Sequence, residues 1–160
     1  MDPEAVRSSL CLALDDVQDP GNLGTIIRAG EGAGITGVVM SSDTADIYNP
    51  KVIRSTMGAV FRVPFVYVED LKAALLQLKD HGVHLYAAHL KGQNPYDQED
   101  YTESTGFLIG NEAQGLSDEI ASLADTYVKI PMAGSVESLN AAIASSVLMF
   151  EVARQRRNQK

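Results

Sequence analysis

Six short runs of β-type residues punctuate this chain: LCLAL (10–14), GVVM (37–40), PFVYV (64–68), VHLYAAH (83–89), GFLIG (106–110) and YVKI (127–130). Most of the gaps between them carry helical periodicity. That alternation predicts an α/β fold in which a parallel-type sheet is flanked by helices. Between the first two strands Leu23, Ile26, Ile27 and Gly30 follow the i, i+3, i+4, i+7 spacing of a buried helix face, and Arg28 lies off it.

The later helices carry their own punctuation. Asn49 is placed to cap a short helix with Pro50 in its first turn and Gly58 just past its end. Leu71, Ala74, Leu75 and Leu78 mark an amphipathic helix that opens at Glu69-Asp70 and closes at His81-Gly82. Ser117 is a good cap for a helix over DEIASLAD (118–125), and the polar stretch 91–105 reads as a surface loop. The last helix, from Leu139 to about Arg154, has apolar residues on two sides: Leu139, Ile143 and Val147 on one, Ala141, Ala144, Ser145 and Leu148 on another. Two packed faces imply burial against both the core and a partner subunit.

At 160 residues the expectation is one domain over 1–160, with no linker and no separate N-terminal domain in this chain. No apolar run approaches the ~20 residues of a membrane helix, and MDPEAVRSS lacks the basic and apolar parts of a signal peptide, so a cytoplasmic protein with no membrane partner is expected. The lone Cys11 sits in an apolar run and reads as core rather than nucleophile. His81, His84 and His89 have no Cys or carboxylate at ligand spacing, so no metal is expected. A Walker loop is missing and no G-x-G-x-x-G directly follows the first strand, so the usual fingerprints of nucleotide and dinucleotide binding are not in place. A net charge of −8 weighs against a nucleic-acid partner, although four of the thirteen basic residues crowd into the last seven positions, RQRRNQK. Those four form either a basic edge or a solvated helix end that complements the helix dipole.

Three segments place polar residues where a plain fold does not need them. In DDVQDPGNLGTIIRAGEGAG (15–34) the turn DPGN follows a strand, and Asn22 is placed to cap the helix that carries Arg28. In FLIGNEAQGLS (107–117) a buried strand runs into a turn with Gly110, Glu112 and Gly115, where glycine lets backbone approach a ligand. In IPMAGSVESLNAAIA (130–144) a strand end and a loop precede Ser138 and Asn140 at a helix start.

In this order the segments resemble the three motifs of the SpoU/TrmH family of RNA ribose methyltransferases, which read like D-P-x-N-x-G-x-x-x-R, G-x-E-x-x-G-L-S and I-P-M-x-G-x-x-x-S-L-N. The likeness extends to NPKVIRSTMGAVFRVPF (49–65) and to the final F-E-x-x-R-Q. It implies a SPOUT fold whose C-terminal segment forms a deep trefoil knot, an exception to the usual unknotted topology. It also implies S-adenosylmethionine as cofactor with S-adenosylhomocysteine as product, a ribose 2′-hydroxyl of rRNA or tRNA as acceptor, and a homodimer. Carried over position by position, it assigns cofactor contacts to Gly110, Ile130, Met132 and Leu139, and functional polar roles to Asn22, Arg28, Glu112, Ser138 and Asn140.

The implied reaction is an in-line displacement by the ribose oxygen, which needs positioning and help in losing a proton rather than a metal. The family assigns a base role to the matching arginine, but an arginine side chain stays protonated in proteins. Arg28 is therefore expected to bind the adjacent phosphate and stabilise the developing alkoxide, with Glu112 orienting it and Ser138, Asn140 and Asn22 holding the ribose or the loops. Two competing readings are a non-catalytic knotted RNA-binding module and a base methyltransferase of the same fold.

Overall fold

β1 (Leu10–Asp15) shows how the sheet divides the core: Leu10, Leu12 and Leu14 point to one face and Ala13 to the other, all buried. The computed structural model describes residues 9–88, 92, 94–136 and 139–159. Six further strands join β1: β2 (Gly37–Ser41), β3 (Phe65–Val68), β4 (His84–Ala88), β5 (Asn94–Pro95), β6 (Thr105–Gly110) and β7 (Thr126–Lys129). They lie in the order β3-β2-β1-β6-β4-β7-β5, every neighbouring pair parallel. The six strands read from sequence are all present, and β5 is additional.

Helices cover both faces, as a parallel sheet requires. α1 (Pro20–Ala33), α2 (Pro50–Thr56) and α5 (Ala141–Arg157) pack on the side of Leu12, Phe107 and Ile109. α3 (Leu71–Asp80) and α4 (Asp118–Ala121) pack on the side of Ala13, Leu85 and Leu108. α1 and α2 touch closely because residue 24 is glycine: a Cβ there would lie 1.7 Å from Ser55 Oγ and 2.9 Å from Ser55 Cβ.

Several local expectations need correction. Asp19, not Asn22, caps α1, accepting from the Gly21 N–H at 3.0 Å with Pro20 opening the helix, and Asn22 is buried inside the first turn. α2 stops at Thr56, and Met57 turns left-handed ahead of Gly58, which opens a 3₁₀ turn over Ala59–Phe61. The helix capped by Ser117 runs only four residues, because Asp125 turns back to the sheet and accepts from Leu85 N–H at 2.8 Å. The 91–105 stretch is not all surface: β5 and a 3₁₀ turn occupy it, and Tyr101 is fully buried against Tyr86 and Phe107. His89 and Lys91 lie outside the described residues.

α5 begins at Asn140, whose side chain accepts from the N–H groups of Ala142 and Ile143. Among the described residues one of its faces is buried, through Ala142, Ser145, Leu148, Met149 and Val152. Ile143 and Phe150 on the other side are 52% and 47% exposed, so the second packed face finds no partner among the described residues. Two arginines of the basic C-terminus have partners. Arg154 pairs with Glu151, and Arg156 folds back to donate to the carbonyls of Ser9, Tyr101 and Glu103. Arg156 thus ties distant segments together, and Arg154 is neutralised within its own helix, rather than both forming a free basic edge.

Candidate active site

The strand order reverses at β1–β6, so helices diverge there and leave a crevice beyond the carboxyl ends of the strands. A cavity of about 880 Å³ opens at this end of the sheet, between the segments 108–116 and 129–144. Gly110, Ile130, Met132 and Leu139 line it, and so do Glu112, Lys129 and Asn140.

The floor exists because residue 110 is glycine. A Cβ at Gly110 would lie 2.2 Å from Leu116 N and 2.3 Å from the Gly115 carbonyl carbon, so no other residue lets 111–116 curl back so tightly. The curl is closed by paired backbone hydrogen bonds between Asn111 and Gly115, at 2.8 and 3.1 Å, with Gly115 at a positive φ of 72°. The Asn111 side chain completes the turn: Oδ1 accepts from Ala113 and Gln114 N–H, and Nδ2 donates to Asp16 O at 2.9 Å. Asp15 anchors the far side, its Oδ2 accepting from both the N–H and the hydroxyl of Ser117 at 3.0 Å.

At the cavity mouth the three segments meet through side chains. Glu112 Oε1 accepts from Gln18 N–H at 2.9 Å, and Oε2 accepts from Asp19 N–H at 2.8 Å and from Asn22 Nδ2 at 3.1 Å. Asn22 Oδ1 in turn accepts from Asn140 Nδ2 at 3.0 Å. One carboxylate and two amides thus connect the start of α1, the turn after β6 and the start of α5. Burial pushes the Glu112 carboxyl upward, but the donors from Gln18, Asn22 and Asp19 outweigh it and leave the group below the usual carboxylate range. A carboxylate so held is a poor proton acceptor and a good clamp.

Arg28 stands apart. It lies six residues past Asn22, about 9 Å further along α1 and ~120° around it. It is exposed, does not line the cavity, and among the described residues pairs with no carboxylate. Within the single chain Glu112 therefore has no bond to Arg28, where orientation was expected, because its acceptors are taken by the α1 start. One turn before Arg28, Gly24 packs on α2. One turn after it, a Cβ on Gly32 would touch the Phe150 ring of α5 at 3.4 Å. Arg28 thus sits on the outer surface between α2 and α5. Ser138 lies outside the described residues.

Sequence reasoning passed over Asp15, Asp16, Asn111 and Lys129. The signals were present: two carboxylates ending a buried strand, an asparagine just after a Gly-terminated strand, and a lysine at the C-terminal end of β7. The register that sets Asp15 opposite Gly110 joins the first three, and Lys129 reaches the cavity from β7.

Fold and site define a parallel α/β protein with a ligand cavity built at strand ends by glycine-containing turns. The chain belongs to the SpoU rRNA methylase family, whose pattern matches residues 9–150. It is 38% identical over 141 residues to the 23S rRNA (guanosine(2553)-2′-O)-methyltransferase RlmP of Bacillus subtilis, covering 88% of this chain and 56% of that protein. It is 39% identical over 152 residues to the 23S rRNA (guanosine-2′-O-)-methyltransferase RlmB of Xanthomonas axonopodis pv. citri, covering 95% and 61%. The structure of the SpoU methyltransferase AviRb from Streptomyces viridochromogenes in complex with AdoMet superposes with a TM-score of 0.90 at 34% identity, covering 99% of this chain and 66% of that one. The chain thus spans about three fifths of the length of these two curated relatives.

Proposed function

We propose that this chain carries the catalytic unit of an S-adenosylmethionine-dependent RNA methyltransferase acting on a ribose 2′-hydroxyl, with ribosomal RNA as the substrate class. The observation that carries the proposal is the Glu112–Asn22–Asn140 network at the mouth of the Gly110 cavity, which brings two motif segments and the start of α5 to one place. The relatives named as 23S rRNA 2′-O-methyltransferases support the reaction and the RNA class.

The cavity suits the cofactor. About 880 Å³ is ample for an adenosyl group, the walls mix apolar Ile130, Met132 and Leu139 with the backbone of 110–116, and a side chain at position 110 would close the turn. We read the C-terminal segment that carries α5 as the threaded part of the family's trefoil knot. Bound there, S-adenosylmethionine supplies a methyl group already electrophilic on a sulfonium sulfur.

What this chain's residues do follows from their placement. Glu112, ionised and saturated with donors, fixes Asn22 and the α1 start, while Asn140 ties α5 to the same point, so the ribose meets a prearranged wall. Proton removal falls to the RNA phosphate or a water. Arg28 stabilises the alkoxide and the neighbouring phosphate through its planar fork. Since Arg28 faces away from its own cavity and shares a surface with Phe150 and Ile143, we propose a homodimer in which that surface is covered and Arg28 is brought to a site shared with the partner.

The test is transfer of labelled methyl from S-adenosylmethionine to unmodified ribosomal and transfer RNA transcripts, followed by digestion to nucleosides. Label in a 2′-O-methylnucleoside of ribosomal RNA is expected. Label on a base would overturn the ribose assignment, and cofactor binding without transfer to either RNA would favour a non-catalytic module.

A further inference from the structure

Between Ile47 and Val68 the chain carries three basic residues, Lys51, Arg54 and Arg62, and no acidic one, although its net charge is −8. The same segment presents the most exposed large apolar side chains of the described residues: Phe61 at 79%, Met57 at 69% and Tyr48 at 62%. The Phe61 side chain does nothing for the core, although its backbone begins the approach to β3. Nothing in the proposed reaction uses these residues.

Their position relative to Arg28 is fixed by packing. α2 lies against α1 through Ser55 and Gly24, one turn before Arg28. Arg62 donates to Glu31 at 2.6 Å, and Glu31 is three residues after Arg28. The segment therefore flanks Arg28 along α1. Among the described residues Lys51 and Arg54 are exposed and form no ion pair.

Two kinds of partner bury exposed aromatics. A protein interface enriches aromatics, Met and Arg but depletes charge, Lys included, from its centre, and the Ile143–Phe150 side of α5 suits that description. The 48–62 surface does not, because unpaired cations are interleaved with its apolar side chains. Cations for phosphates beside an aromatic face for bases are what single-stranded RNA requires, and the two act together because backbone charge and base π-face alternate along the strand. We infer that Tyr48–Arg62 is an RNA-docking surface that holds the unpaired strand flanking the target nucleotide, with Phe61 as the stacking platform and Lys51 and Arg54 on phosphates. This rests on the RNA methyltransferase reading above.

The experiment compares the parent chain with Phe61→Ala and with the double variant Lys51→Gln/Arg54→Gln. The probe is a fluorescein-labelled single-stranded RNA of about twenty mixed nucleotides, titrated from low to physiological salt. Alongside are measured S-adenosylhomocysteine binding, sedimentation velocity and methyl transfer by the parent to unmodified 23S rRNA transcript. Phe61→Ala is expected to weaken the probe roughly 5- to 150-fold, the range for one lost base stack. The double variant is expected to lower the slope of log K against log salt by about 1.4, that is ~0.7 per lost contact on single strands. Cofactor affinity and sedimentation should not change in either. Parent-like RNA affinity and slope in both variants overturn the surface, as does a shift in sedimentation, which would make it a contact between copies. In those cases methyl transfer by the parent persists and the proposed function stands. A parent that neither binds the probe nor methylates the transcript takes down both.

Discussion

Gly110→Ala is the smallest change that tests how the cavity is built. The added Cβ would sit 2.2 Å from Leu116 N, 2.3 Å from Gly115 C and 2.6 Å from Gly115 O, all backbone atoms. Ordinary contact starts near 3.4 Å, so the 115–116 backbone must retreat by about 1.2 Å. The retreat cannot be absorbed by a rotamer change. It stretches the Asn111–Gly115 hydrogen bonds and carries Glu112 away from Gln18 and Asp19. Forced overpacking of this kind costs ~1–3 kcal/mol, which in a chain of this size lowers Tm by roughly 2–12 °C. If displaced walls weaken cofactor binding by the same ~1–3 kcal/mol, Kd rises about 5- to 150-fold. Calorimetric titration with S-adenosylhomocysteine and a melting scan read both effects. Gly37→Ala is the control, since a Cβ there meets only the Pro64 carbonyl oxygen at an ordinary 3.6 Å and the residue lies outside the cavity lining. Should Gly110→Ala melt within about 1 °C of the parent and bind within about twofold, the cavity is not shaped by this turn and the reasoning fails.

Gly24→Ala should push α2 off α1 and destabilise the fold by ~1–3 kcal/mol. Adding Ser55→Ala removes the 1.7 Å contact and should recover part of the loss, whereas a melting scan with no recovery would place the strain elsewhere. Glu112→Gln leaves one of three donors facing an amide NH₂, at a cost near the low end of ~1–3 kcal/mol because the group is partly wet, and should lower kcat more than cofactor affinity. Because Glu112 titrates below its ordinary value, its stabilisation is complete above ~4.3, the unfolded value. It is lost as pH falls through the folded value, so the Tm gap between parent and variant should close below about pH 4. A gap that stays constant from pH 7 to 3 contradicts this. Arg28→Lys should fold and bind cofactor as the parent does, yet lose most methyl transfer, because a point charge cannot replace a planar fork; near-normal turnover would remove Arg28 from the chemistry.

Strand positions were legible in the sequence because a parallel strand covered by helices must be a short, nearly continuous apolar run, as in LCLAL, GVVM and GFLIG, and even the edge strand PFVYV keeps β-branched and aromatic residues. The caps at Asn49, Asp70 and Ser117 were legible for the same local reason: a side-chain oxygen reaches an N–H two or three residues on. The motif residues could be named too, but not their partners. That Glu112 holds Asn22 rather than Arg28 follows from which strand ends lie side by side, and β1 and β6 are nearly a hundred residues apart in the chain. Burial of Tyr101 inside a polar stretch, and use of Arg156 as an internal tie rather than a basic edge, likewise depend on distant segments. Local sequence determines what forms within a few residues, since those contacts need no loop closed over distance. Sheet order alone decides which polar groups from remote segments share a cavity, and here it set the site.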